Sequence, residues 1–139
     1  MIAPDSSVLV AGFLPDHDFY DAADTALSKV RVDGCLIAHT MAETFAVLSG
    51  PAGVYQATPE SVVAYLDALL GKSSPLQPRP DTYREAIELL SSNGRGGGAI
   101  YDALIALAAR DAGAQLVSLD GRAAKIYDLC RVEARLLSA

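Results

Sequence analysis

Four carboxylates hold most of the chemical capacity in this sequence: Asp5, Glu43, Asp102 and Asp120. Asp102 is the only acid within Ala99–Ala109, a stretch apolar on nearly every face. A helix apolar all round is usually buried. A buried charge is expensive unless it is paired or holds a metal. The helical neighbours of Asp102 are small (Gly98, Ala99, Ala103, Ala106), which leaves room beside the carboxylate. The other three acids each follow a short apolar run that reads as a strand. Carboxylates brought together repel and raise one another's pKa values unless a cation holds them. Oxygen-only donors of this kind suit Mg²⁺ or Mn²⁺. Each acid also has an ordinary explanation. Asp5 is placed as a helix cap, and Thr40-Met41-Ala42-Glu43 reads as a capping box. Asp102 favours the dipole of its own first turn, and Asp120 precedes Gly121 as a turn residue.

The elements that must position these acids follow from periodicity. Met1 to Pro4 reads as a first strand, although Pro4 lacks a ladder donor and is awkward in a central strand. A helix is expected over Val8–Leu14. A second begins at His17, with Tyr20, Ala23, Leu27 and Val30 on one face. Cys35–Ala38 reads as a short buried strand, followed by a helix to Leu48 and a loop over Gly50–Gly53. Thr58-Pro59-Glu60 is a cap with proline in the first helical position, and Val62, Leu66, Leu69 and Leu70 carry that helix forward. Ser74–Pro78 allows only a brief extended piece. Asp81–Leu90 is helical, with Tyr83, Ile87 and Leu90 expected inward. The central helix, Gly98–Ala112, follows a glycine-rich loop. Gln115–Ser118 is a strand, Arg122–Tyr127 a short helix, and Val132–Leu137 a last apolar run. Strands alternating with helices predict an α/β/α three-layer sandwich around a small, mostly parallel sheet. In such sheets ligands bind beyond the carboxyl ends of the strands, where the acids fall.

The bulk composition agrees. A chain of 139 residues, 51% hydrophobic and 20% charged, forms a single globular domain over residues 1–139. The net charge of −6 argues against broad, charge-driven nucleic-acid binding. No signal peptide or membrane-spanning stretch is apparent. Cys35 and Cys130 read as reduced core cysteines of a cytoplasmic protein.

Asp5-Ser6-Ser7, Ala42-Glu43-Thr44, Gly97–Ala106 and Leu116–Asp120 together resemble the PIN-domain signature. In size and spacing the chain is similar to the VapC-type toxins of toxin–antitoxin pairs. The most specific segment is Gly97-Gly98-Ala99-Ile100-Tyr101-Asp102-Ala103-Leu104-Ile105-Ala106. The resemblance implies a metal-dependent endoribonuclease in which Asp5, Glu43, Asp102 and Asp120 bind Mg²⁺ or Mn²⁺, with Asp120 at the family's most variable position. The ion would activate water and neutralise charge at phosphorus. Ser6 and Ser118 would orient ligands or water. It further implies selective cutting of a structured RNA such as a tRNA or rRNA loop, a cognate antitoxin, and a homodimer. Arg95 and Arg122 are the expected phosphate contacts. His17 and His39 are not needed as bases. The helices at Val8–Leu14, Phe19–Leu27 and Val62–Leu70 are candidate contact faces.

Two other readings compete. Gly94–Ala99 fits G-x-G-x-x-A, the dinucleotide fingerprint, but follows a helical pattern where a strand is required. The second is a non-catalytic partner-binding module whose acids serve only as caps.

Overall fold

The computed structural model describes residues 1–50, 55 and 57–138. The predicted loop over Gly50–Gly53 therefore lies largely outside the described residues. Three short parallel strands, β1 (Ile2–Pro4), β2 (Gln115–Ser118) and β3 (Ala134–Leu136), form a sheet in the order β1-β2-β3. Ala3 pairs with Leu116, and Val117 with Arg135. Among the described residues seven helices surround the sheet: α1 (Ser6–Phe13), α2 (Tyr20–Asp33), α3 (Ala38–Ser49), α4 (Pro59–Leu70), α5 (Pro80–Ser92), α6 (Ala99–Asp111) and α7 (Gly121–Leu129).

Strand period fixes the layers. Leu116 enters a core with α5, α6 and α7, whereas the next residue, Val117, enters a core with α1, α2 and α4. This is the expected α/β/α sandwich. Helix α3 packs against α1, α4 and α6, and so joins the two layers.

Helix α6 is the central element. All seven residues from Ala103 to Ala109 are buried. Burial of each large aliphatic side chain among them contributes about 1.5–3 kcal/mol, which offsets an unfavourable carboxylate at the helix start.

Several local expectations are corrected. Cys35–Ala38 is not a strand: only Gly34 and Ile37 form isolated bridges, to Ile2 and Leu76, because α3 already begins at Ala38. Gly34 is required at the first of these, since a Cβ there would meet the Val30 Cα at 2.5 Å and the Ile2 carbonyl at 2.8 Å. Pro4 is accommodated. The Asp5 amide donates to the Val117 carbonyl (3.0 Å), while the Ile2 carbonyl accepts from Cys35 on the opposite side (2.9 Å). By alternation the donor missing from Pro4 lies on the Cys35 side, away from β2, so the β1–β2 ladder loses nothing. On α5 the buried face is Thr82, Ala86 and Leu90, whereas Tyr83 and Ile87 point to solvent. Most large apolar residues of α1, α2 and α4 are core, which removes much of the contact surface expected there.

Candidate active site

The four acids reach the same edge by four routes. Asp5 leaves β1 with extended backbone and caps α1, accepting from the amides of Ser7 (3.1 Å) and Val8 (3.4 Å). The Ser7 hydroxyl donates to the same Oδ1 and accepts from the Leu119 amide at 2.9 Å. The Tyr127 hydroxyl donates to Oδ2 at 3.0 Å. Asp5 is thus buried with both oxygens engaged. Burial raises its pKa, against the opposing pull of the Ser118, Ser7 and Tyr127 hydroxyls and the Val8 amide. The same environment pushes the Tyr127 phenol well up, first through burial and then through the Asp5 charge.

Asp120 caps α7, accepting from the amides of Arg122 (2.9 Å) and Ala123 (3.2 Å). Its own amide donates to the buried Ser118 hydroxyl at 2.9 Å, so Ser118 shapes the turn that carries Asp120. Ser6 does not hold Asp5. The hydroxyl on its carboxylate comes from Ser7 instead.

Glu43 is not part of a capping box. Helix α3 starts at Ala38, so Thr40 is already inside it and returns its hydroxyl to the Ile37 carbonyl at 2.8 Å. Glu43 is left half-buried, with Oε1 lacking any hydrogen-bond partner. His39 Nε2 lies 3.7 Å from that oxygen, too far for a hydrogen bond. Burial raises the Glu43 pKa; His39 opposes this, and the charges of Asp102 and Asp5 add to it. Asp102, in the first turn of α6, is also half-buried. Its pKa is raised by burial, then by Asp120 and Asp5, with His39 opposing.

The acids therefore act on one another across the edge, and among the described residues none is ion-paired to lysine or arginine. Nor do any three acidic, histidine or cysteine side chains among the described residues already stand together as a closed ligand set. The fit to an oxygen-seeking divalent cation rests on the orphaned Glu43 oxygen and the uncompensated repulsion. Such a donor set suits Mg²⁺ or Mn²⁺.

Beside Asp102 and Asp120 opens a cleft of about 420 Å³, rimmed by Arg95, Arg122 and Lys125. Arg95 and Arg122 stand where expected. Lys125 joins them without being among the expected contacts; it lies three residues beyond Arg122 and thus on the same helical face. A second groove runs from Asp120 past Ser6 to His17 and Phe19. His17 has a local task there, its Nδ1 accepting from the Phe19 amide at 3.1 Å. A depression of about 620 Å³ between β1 and α2 contains none of the four acids. The glycine-rich loop follows α5, not a strand, which removes the context a dinucleotide fingerprint needs.

Comparison with known proteins agrees with this geometry. A family model described as PIN domain matches residues 2–129. Ribonuclease VapC40 of Mycobacterium tuberculosis is 41% identical over 138 residues, covering 99% of this chain and 100% of the relative, in strain H37Rv and in strain CDC 1551 / Oshkosh. Among solved structures, FitAcB from Neisseria gonorrhoeae superposes with a TM-score of 0.70 at 17% identity, covering 97% of this chain and 96% of that one. PAE2754 from Pyrobaculum aerophilum gives a TM-score of 0.60 at 20% identity, covering 90% and 84%. The two structural likenesses carry the fold alone.

Proposed function

This chain belongs to the PIN-domain family, and from that premise we propose that its acidic edge is the site of a metal-dependent endoribonuclease, the toxin of a toxin–antitoxin pair. One observation supports the placement above others. Acids from four separate elements act on one another at one edge, among the described residues no lysine or arginine is paired with them, and one buried oxygen of Glu43 has no partner. Asp5, Glu43, Asp102 and Asp120 would hold the cation, Mg²⁺ or Mn²⁺. When bound, such an ion lowers the pKa of water and stabilises charge building on a phosphoryl group.

The protein's own residues prepare the site. Tyr127 and Ser7 fix both oxygens of Asp5, so that ligand pays little ordering entropy when the cation arrives. Ser118 fixes the turn that carries Asp120. Arg95, Arg122 and Lys125 present positive charge along the cleft and orient RNA phosphates on an otherwise acidic protein. The substrate is a selected RNA, a tRNA or rRNA loop, since three cations give a local foothold and not a broad binding surface. A cognate antitoxin and a second copy of the chain are the proposed partners, in the cytoplasm. Exposed Phe45 and Val47 on α3 and Val63 on α4 supply apolar contact surface for them. Among the described residues no helix is long and apolar enough to cross a membrane.

The test is incubation of the purified chain, free of any partner, with total RNA in Mn²⁺ or Mg²⁺, beside EDTA and Asp102→Asn controls. Discrete fragments requiring both the metal and Asp102 are expected. Intact RNA together with no metal-induced rise in melting temperature would return the acids to a purely structural role, as in a partner-binding module.

A further inference from the structure

Tyr101 precedes Asp102 and is half exposed, at 51%. Its ring lies parallel to that of His39 on α3, with 5.0 Å between centroids and 7° between planes. His39 in turn stands 3.7 Å from Glu43. A stacked ring pair is therefore attached to two of the four acids, one on each helix, with the outer face of the stack open to a further ring. The basic rim shares a cleft with Asp102, its cations coming from α7 and from the loop before α6; the ring pair joins the residue before Asp102 to α3. Together they offer what single-stranded nucleic acid requires: cations for the backbone on one flank, and a π surface for a base on the other. Packing alone does not account for the arrangement. Ala103–Ala109 already bury α6, while Tyr101 leaves half its surface in water.

We infer that the Tyr101–His39 pair is a stacking platform for one nucleobase of the RNA, next to the bond to be cut. The inference rests on the reading of the acidic edge as a ribonuclease site. A π face accepts any base, so the platform sets the position of the strand and leaves sequence choice to other contacts. A phenylalanine at position 101 would serve, whereas an aliphatic residue of similar bulk would not.

The test uses the whole chain in EDTA, so that nothing is cut. It is titrated with a twelve-nucleotide single-stranded oligoadenylate and with an abasic ribose-phosphate strand of equal length. Ring-proton resonances of Tyr101 and His39 should move upfield with the first and stay with the second. Tyr101→Leu should weaken oligoadenylate binding about tenfold without altering abasic binding or the Mn²⁺-induced thermal shift, and Tyr101→Phe should restore it. Equal binding of the two strands, or ring resonances that do not move, would overturn the platform. So would Tyr101→Leu changing only the melting temperature, which would mark the ring pair as a link between α3 and α6. Metal-dependent cleavage of total RNA is scored separately. Cleavage with unmoved rings would sink the platform and leave the nuclease standing. Moved rings without cleavage would sink the nuclease and leave a base-binding surface.

Discussion

The two ends of α6 handle acid in opposite ways. At the C-terminal end, Asp111 and Glu85 share Arg110, whose guanidinium meets Glu85 through two hydrogen bonds of 2.5 and 2.9 Å and Asp111 through two of 3.1 and 2.9 Å. The Thr82 hydroxyl adds a bond to Asp111 at 3.1 Å. The Arg110 hydrogen bond holds the Glu85 pKa below the ordinary range. Burial pulls Asp111 upward, but Arg110 and Thr82 together bring it below its usual value. At the N-terminal end, Asp102 faces Asp120 and Asp5 with only a histidine in opposition, and its pKa is raised. One end is closed with charge supplied by the chain. The other is left for charge supplied from outside, and the cations near it line the cleft instead of pairing with the acids.

Asp102→Asn is the largest perturbation of this contrast. RNA cleavage should fall by at least about 10²–10³-fold, as measured by single-turnover assay, and the metal-induced thermal shift should vanish. The metal-free variant should melt a few degrees above the parent, because a repelling charge is gone; a lower melting temperature would show that Asp102 is not strained. Tyr127→Phe leaves the acids in place but frees Asp5 Oδ2. Metal affinity should drop about 10–100-fold, read by calorimetric titration, and unchanged affinity would mean that the phenol serves only the core. Arg122→Ala with Lys125→Ala tests whether the nearby cations serve RNA. The logarithmic salt slope of binding should shrink by about one per residue removed, with metal binding retained.

A pH titration of the metal-free melting temperature sets the two ends against each other. Asp5, Glu43 and Asp102 have raised pKa values, so the folded state binds more protons than the unfolded one just above the ordinary carboxylate range. Their contribution should therefore improve as pH falls from neutral toward about 4. Glu85 and Asp111, with lowered values, contribute stability that is present above that range and lost below it. The expected profile rises on mild acidification and then declines, and saturating Mn²⁺ should abolish the rise. Arg110→Gln, the mildest change, should cost about 1 kcal/mol or less because these groups are partly exposed, and should steepen no part of the metal response.

Legibility in the sequence followed the range of the interactions. The caps at Asp5 and Thr58 and the buried helix around Asp102 were readable because they depend on nearest neighbours and on period. Glu43 has a capping role beside its ligand role in the sequence because Thr-x-x-Glu is a local pattern; the helix in fact starts at Ala38, three residues before the Met41 that a Thr40 cap would require. Tyr83 and Ile87 were assigned to the core because apolar spacing does not reveal which face small residues occupy, and Thr82 and Ala86 won that face. The Tyr127 bond to Asp5 spans 122 positions, and the His39–Tyr101 stack joins two helices. No local pattern announces either.

The pairing of β1 with β2 has a consequence for how the protein is made. Asp5 leaves the ribosome 112 to 122 positions before Val117, Leu119 and Tyr127, which align β1 and hold Asp5 through Ser7 and its own carboxylate. Contacts so distant in sequence form late, after the loop between them has closed. A nascent chain can assemble α1 through α6 and still have no complete acidic edge. The acidic edge is thus completed only once α7 has been made and Tyr127 can reach Asp5.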